Sequence, residues 1–214
     1  MSGLIIFVIL PEIEPIFSVS PDSGASLETR PGNSYLTTMR SPMFRFFCSA
    51  NDSFIAINTG KKIDKKYLPL IKEGVILACQ RLAKSIARDG EGANCLLEVI
   101  VDGTKNNIAA MKIAKSIINS SLVKTAIHGS DPNWGRIIAA LGRAGIFFNI
   151  SEVQLWIGPY ELFSNGIPLD FDRQIVSNFM KARLKGKYLI DDLISIRLRV
   201  GIGKGSGTAW GCDL

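Results

Sequence analysis

A chain of 214 residues, 47% hydrophobic and 21% charged, has the make-up of a globular protein able to bury a core, in one domain or two small lobes. The formal net charge of +6 invites an anionic partner, but the densest basic run, Lys181, Arg183, Lys185 and Lys187, is diluted by Leu184 and Gly186. It also lacks interleaved aromatics to stack on bases, so it reads as a solvated helix end and a nucleic-acid partner is not expected.

In chain order, residues 3–10 are apolar but far short of the roughly 20 needed to cross a bilayer. They lack the basic start of a secretory signal, and Pro11 and Glu12 follow at once, so neither a membrane nor an export route is expected. Up to residue 49 the chain holds Pro11, Pro15, Pro21, Pro31 and Pro42 with no sustained period. Such a segment buries too little apolar area to offset chain entropy, so residues 1–49 are expected to be poorly ordered and residues 50–214 to form the folded domain.

From there the pattern turns regular. Ile71, Val75, Cys79, Leu82 and Ile86 recur at spacings of three and four, which predicts a helix over residues 69–88 that ends at Asp89 and Gly90. Residues 96–101 predict a strand, and Ile108, Met111, Ala114 and Ile117 or Ile118 the buried stripe of a second helix. Residues 122–127 read as another strand, 134–141 as a third helix, 153–157 and 189–200 as strands around a helix over 172–183, and residue 208 begins a last strand. Helices alternating with strands give an α/β class, a sheet layered with helices. The four cysteines, Cys48, Cys79, Cys95 and Cys212, form no C-x-x-C pair and have only His128 to join them in a metal site. They are expected to be reduced thiols in a cytoplasmic protein, with no metal.

Two segments carry chemistry. The first runs from Lys124 through Thr-Ala-Ile-His-Gly-Ser-Asp-Pro-Asn-Trp-Gly to Arg136 and on to Gly145. It reads as a strand, a turn at Gly129 and a helix start with Asp131 as N-cap and Pro132 at the first helical position. Free N–H groups there, with Arg136 a turn further on, suit a carboxylate ligand. The same residues also read as plain packing, with Asp131 only capping, Asn133 closing the turn and Trp134 in the core. The second segment, Asp89-Gly-Glu-Gly-Ala93, sets Glu91 between two glycines, where the backbone turns sharply and the carboxylate can reach into a cleft. It reads equally as a helix stop with Glu91 merely solvated. The two segments are expected to face one cleft, because helix ends and strand-to-helix turns are where α/β proteins place ligands. Gly201 to Gly207 imitates a phosphate loop, but Gly205 follows Lys204 where Ser or Thr is required, so a glycine hairpin joining two strands is expected.

The run from Lys124 to Gly145 resembles the signature of the ornithine acetyltransferase (glutamate N-acetyltransferase) family of arginine biosynthesis, and Asp89-Gly-Glu-Gly-Ala93 is similar to a second motif of that family. Residues 50–54 with 58–60 look like the tail of its acidic loop, and residues 209–214 like its last strand. The resemblance implies a layered α/β sandwich of the ornithine acetyltransferase type, acetyl transfer from N-acetylornithine to glutamate, and Glu91 in contact with the substrate amino group. It implies an α-chain-like partner in an α2β2 assembly, and no resident cofactor, with acetyl-CoA a co-substrate in bifunctional members. Asp131, Asn133 and Arg136 are further substrate-binding candidates. Asn94 and Cys95 depart from the Thr-Lys pair often found in the family, and His128 stands where an apolar side chain is more often expected; it reads as a strand-end residue.

The family's nucleophile is a threonine freed at an Ala-Thr bond, whose own amine acts as base. No residue here matches it: Thr38 follows Thr37, leads into Arg40-Ser-Pro and lies too near Asn51. The Thr-Gly pair of the oxyanion hole and the strand beyond Leu214 are likewise unmatched. The expectation is therefore a chain with no catalytic residue of its own, inactive alone, whose resemblance stops before Ala50 as after a frame change. The competing expectation is a non-catalytic amino-acid-binding or partner-pairing remnant.

Overall fold

Hydrophobic residues at alternate positions of residues 97–101 set the first long strand, and the rest of the sheet grows around it. The computed structural model describes residues 65–214 and, ahead of them, only β1 (Ile6–Phe7), β2 (Ser26–Thr29), β3 (Thr37–Arg40) and β4 (Ile55–Ala56). β1 pairs antiparallel with β4, and β2 with β3. The expected disorder of residues 1–49 and the family-like stretch over residues 50–60 otherwise lie outside the described residues. The chain divides into two units, residues 1–83 and 84–214. α1 (Leu68–Arg88) crosses the boundary, with Pro69 in its first turn, where a missing N–H costs nothing. Of its predicted stripe, Val75 and Leu82 are half-buried, whereas Cys79 and Ile86 are exposed.

The second unit holds one six-stranded sheet. β5 (Leu96–Thr104) turns Leu97, Val99 and Val101 fully inward. α2 (Asn107–Ile118) starts at Asn106, whose side chain accepts the Ala109 N–H, and buries Ala110, Ile113, Ala114, Ile117 and Ile118. The predicted stripe is thus rotated: Ile108 is 81% exposed and Met111 half-buried. Residues 122–127, expected as a strand, belong to α3 (Ser121–His128). Val123, Ala126 and Ile127 are its buried residues, a spacing of three and four that packs a helical face, and this outweighs the local β preference of Val and Ile. α4 (Trp134–Gly142) follows. Then come β6 (Gln154–Ile157), β7 (Tyr160–Ser164), β8 (Ile167–Pro168), α5 (Arg173–Leu184, capped by Asp172), β9 (Leu193–Arg199) and β10 (Gly205–Cys212).

The strand order is β10-β5-β9-β6-β7-β8, parallel only between β5 and β9. β9 and β10 are therefore not neighbours. Residues 200–204 carry the chain past the end of β5, which replaces the expected glycine hairpin by a crossing. The crossing needs its glycines, because a Cβ on Gly103, which has φ +81°, would stand 2.2 Å from the Gly201 carbonyl oxygen. Along β10, Gly207 lets α2 lie on the strand, since a Cβ there would come within 2.7 Å of the Met111 nitrogen.

The architecture is α/β, with helices layered on a mixed sheet. The other side of the sheet carries Glu98, Ile100, Asp102, Trp156, Ser195, Arg197, Thr208 and Trp210, none of them buried. Among the described residues no helix is long and apolar enough to cross a membrane.

Candidate functional site

α1 ends on Arg88, and Asp89 and Gly90 lead into a turn at Glu91 and Gly92. Gly92 has φ +80°, a conformation glycine adopts without strain, so the chain reverses there with the Glu91 side chain exposed. Neighbours on both flanks of the turn prevent it from being a loose loop. Arg88 Nη1 donates to the Ala93 carbonyl at 2.8 Å and Nη2 to the Asn94 carbonyl at 3.1 Å, while Nε donates to Asp192 Oδ2. The Asp192 side chain is fully buried, and its other oxygen takes the Leu189 N–H at 2.8 Å. The Tyr188 ring covers the guanidinium at 5.3 Å.

The other flank is held from β10. Asp213 Oδ1 accepts the backbone N–H of Asn94 at 2.8 Å and of Cys95 at 3.2 Å. Asp213 Oδ2 lies 2.8 Å from His128 Nδ1 and 3.4 Å from Asn94 Nδ2. Burial alone would raise the Asp213 pKa, but the hydrogen bonds from Asn94, His128 and Cys95 together outweigh it and hold the carboxyl below its ordinary range. Asp213 is therefore an anion at neutral pH, and His128 at the end of α3 is tied to it. Lys124, one turn earlier in α3, donates its ammonium to the Leu214 carbonyl. Burial pushes the Cys95 thiol up to about 12, with the nearby Asp213 charge adding to the effect, so this cysteine is neutral and unreactive.

The other predicted segment, Lys124 to Gly145, continues beyond His128. Gly129 caps α3, and Ser130 follows with φ +53°. The cap of α4 is Asn133 and not Asp131: Asn133 Oδ1 accepts the Arg136 N–H at 3.2 Å, and Trp134 is the first helical residue. Asp131 is drawn elsewhere, its Oδ1 to Arg173 Nη2 at 2.7 Å and its Oδ2 to Asn133 Nδ2 at 3.0 Å, which leaves Pro132 ahead of the helix. Arg136 turns back to α3 and donates to the Leu122 carbonyl and Thr125 Oγ1. His128 is a helix-end residue, not a strand-end one.

The structure thus brings the Glu91 turn to His128, and joins Asp131, Asn133 and Arg136 in one capping cluster. Among the described residues, no hydrogen bond or ion pair links Glu91 to Asp131, Asn133 or Arg136. Nor does any group of three or more His, Cys, Asp or Glu among them have the arrangement to hold a metal ion. Sequence reasoning missed Arg88, Asp192 and Asp213. An arginine closing a helix just before a glycine-flanked turn was a signal for Arg88, whereas Asp192 and Asp213 act across 104 and 119 residues and left none.

The ArgJ family profile matches residues 47–214. The chain is 71% identical over 166 residues to the arginine biosynthesis bifunctional protein ArgJ of Prochlorococcus marinus (strain NATL2A), covering 78% of this chain and 40% of that protein. It is 49% identical over 172 residues to the arginine biosynthesis bifunctional protein ArgJ 1 of a Nostoc species (strain PCC 7120), covering 78% of this chain and 42% of the other. The crystal structure of the bifunctional protein ArgJ from Bacillus halodurans superposes with a TM-score of 0.66 at 36% identity, over 80% of this chain and 75% of that one. The chain spans about two fifths of the length of the curated relatives it matches.

Proposed function

This chain belongs to the ArgJ family, and on that premise we propose that it is the part of a glutamate N-acetyltransferase that positions the substrate amine. The reaction is acetyl transfer from N-acetylornithine to glutamate. The observation that carries this reading is the Glu91 turn, an exposed carboxylate on a backbone fixed from one side by Arg88 and from the other by Asp213. A turn held in advance offers its carboxylate to an ammonium group without first losing loop entropy, which aids orientation of a substrate. Asp131, Asn133 and Arg136 spend their polar atoms on one another, on Arg173 and on α3; in this reading they build the turn beside the site and leave the direct contact to Glu91.

The nucleophile would come from the part of the family's sequence that this chain does not match, and the oxyanion donors from an α-chain-like partner in an α2β2 assembly. Lys84 of α1 reaches Glu98 and the Trp210 ring on the outer sheet face, while Ile100 and Trp156 on that face are also not buried; this supports such a partner, since a sheet in a sandwich needs cover on both faces. The same face favours the second reading, a partner-pairing remnant without catalysis. We place the protein in the cytoplasm, in keeping with the free thiols Cys79, Cys95 and Cys212. No resident cofactor enters the reading, and acetyl-CoA would act only as an alternative donor.

The test is binding. N-acetylornithine titrated into the labelled chain should shift the Gly90 and Gly92 amide resonances in a saturable way. N-acetylnorvaline, which lacks the terminal ammonium, should bind at least about tenfold more weakly, and Glu91→Gln should erase the difference, as expected for loss of a charge-assisted contact. Equal binding of the two compounds, or an unchanged preference in Glu91→Gln, refutes the assignment.

A further inference from the structure

Two side chains beside the Glu91 turn touch each other: Asn94 Nδ2 lies 3.3 Å from His128 Nδ1. Both side chains address a single acceptor, Asp213 Oδ2.

That acceptor settles where the ring proton sits. Asp213 is ionised and its side chain fully buried, so a ring nitrogen 2.8 Å away must present a hydrogen to it, because a lone pair aimed at a carboxylate would be repelled. Nδ1 therefore carries the proton, and Asn94 Nδ2, also a donor, turns to the carboxylate and not to the ring. Nε2 has no partner among the described residues, and the His128 side chain is 45% exposed.

We propose that His128 is a positioning residue for the turn that presents Glu91. Its Nδ1–H holds Asp213, Asp213 holds the peptide N–H groups of Asn94 and Cys95, and these follow Glu91 by three and four residues. The chain of bonds runs from the end of α3 through the end of β10 to the turn. Removing its first member leaves Asp213 with fewer donors and the turn held mainly through Arg88. A histidine that merely filled space would be replaced without effect by leucine. A histidine acting through Nδ1–H would be replaced by asparagine, whose amide nitrogen occupies the place of Nδ1, and not by leucine. What the clamp does for a substrate rests on the reading of Glu91 given above. The clamp itself exists in the ligand-free chain, so its failure and the failure of the substrate reading are told apart.

His128 is the chain's only histidine, so labelled imidazole nitrogens give a single spin system. The neutral ring should show the Nδ1–H tautomer. In amide hydrogen exchange, His128→Leu should speed the Asn94 and Cys95 amides by about tenfold or more, the scale of a lost hydrogen bond to a charged group. His128→Asn should stay within about threefold of the parent, since its donor is retained. The Val99 and Ile113 amides should be unchanged in both variants and report an intact core. An Nε2–H tautomer, parental exchange in His128→Leu, or equal acceleration in His128→Asn and His128→Leu would each overturn the proposal. If His128→Leu also loosens the core, the tautomer and the asparagine variant decide.

Discussion

Asp213 Oδ1 takes the backbone N–H of Asn94 at 2.8 Å, so a residue at the end of β10 holds the turn that follows α1, 119 positions earlier in the chain. This single carboxylate gives the fold an acid limit. Its pKa is lowered in the folded state by the Asn94, His128 and Cys95 hydrogen bonds, despite the burial that opposes them. A depressed carboxyl contributes stability above its unfolded value of about 3.9, and that contribution is lost as pH falls through the folded value. Thermal melts between pH 7 and pH 2 should show stability dropping below about pH 4. Asp213→Asn should start lower at neutral pH and show a shallower drop, and a variant with the parent's full acid dependence would remove Asp213 as its source.

Cys95 tests the same region by reactivity. With its thiol pushed up to about 12 and no exposed surface, it carries almost no thiolate at pH 8, whereas Cys79 is exposed. Iodoacetamide at pH 8, followed by peptide mass spectrometry, should modify Cys79 within minutes and leave Cys95 unmodified until denaturant is added. Comparable labelling of both thiols in the native chain would contradict the burial of Cys95.

Much of the fold was legible before the structure because its signals are local. The β-rich run of β5 and the three- and four-residue spacing of α1 lie within one element each. α3 was misread as a strand because Leu122, Val123 and Ile127 satisfy strand chemistry, and only packing on both flanks shows that positions 123, 126 and 127 form one helical face. The Gly201 to Gly207 segment was misread as a hairpin because Gly201, Gly203 and Gly205 serve close approach to residues 103–106 and Gly207 to residues 110–111, which no sequence period announces. At the site, Glu91 was marked by its flanking glycines, while the groups that hold it, Asp192 and Asp213, are separated from it by about a hundred residues or more.

Arg88 should be the most costly side chain of the turn to remove. It supplies a charge to Asp192, whose side chain has no exposed surface, and bonds two carbonyls of the turn. Arg88→Ala leaves that carboxylate buried and unpaired, a loss of about 3–5 kcal/mol for a broken buried pair. The double variant Arg88→Met with Asp192→Leu should recover much of the stability, because no charge is then left uncompensated. Denaturant melts of the three proteins measure this, and a double variant no more stable than Arg88→Ala would mean that the carbonyl contacts, lost in both, outweigh the ion pair.

The crossing of residues 200–204 past β5 predicts a backbone penalty. At Gly103 an alanine Cβ meets the Gly201 carbonyl oxygen at 2.2 Å and must adopt φ +81°. Gly103→Ala should cost about 2–4 kcal/mol from strain and displacement together, whereas Gly142→Ala, where nothing lies within 4 Å of the new methyl, should be neutral or stabilising. Equal melting temperatures for the two variants would refute the close crossing.

In the family this chain belongs to, self-cleavage and acetyl transfer are expected, on the resemblance of its motifs, to share one threonine hydroxyl and its oxyanion donors, and none of the 214 residues here matches that threonine. Glu91 can hold an ammonium group but cannot accept an acetyl group and release it to a second amine, since a carboxylate poised for ion pairing is a poor acyl acceptor beside an activated hydroxyl. Loss of one oxyanion donor alone costs about 10²–10³ in rate, and loss of the nucleophile costs more. The 214-residue chain, purified by itself, should therefore remain a single uncut species by mass spectrometry. Incubated with N-acetylornithine and glutamate, it should form no N-acetylglutamate above the blank. Turnover that Thr38→Ala abolishes would show that Thr38, opposite Glu28 in the β2–β3 pair, is the acyl acceptor after all. It would also move the assignment from amine positioning to complete catalysis within this chain.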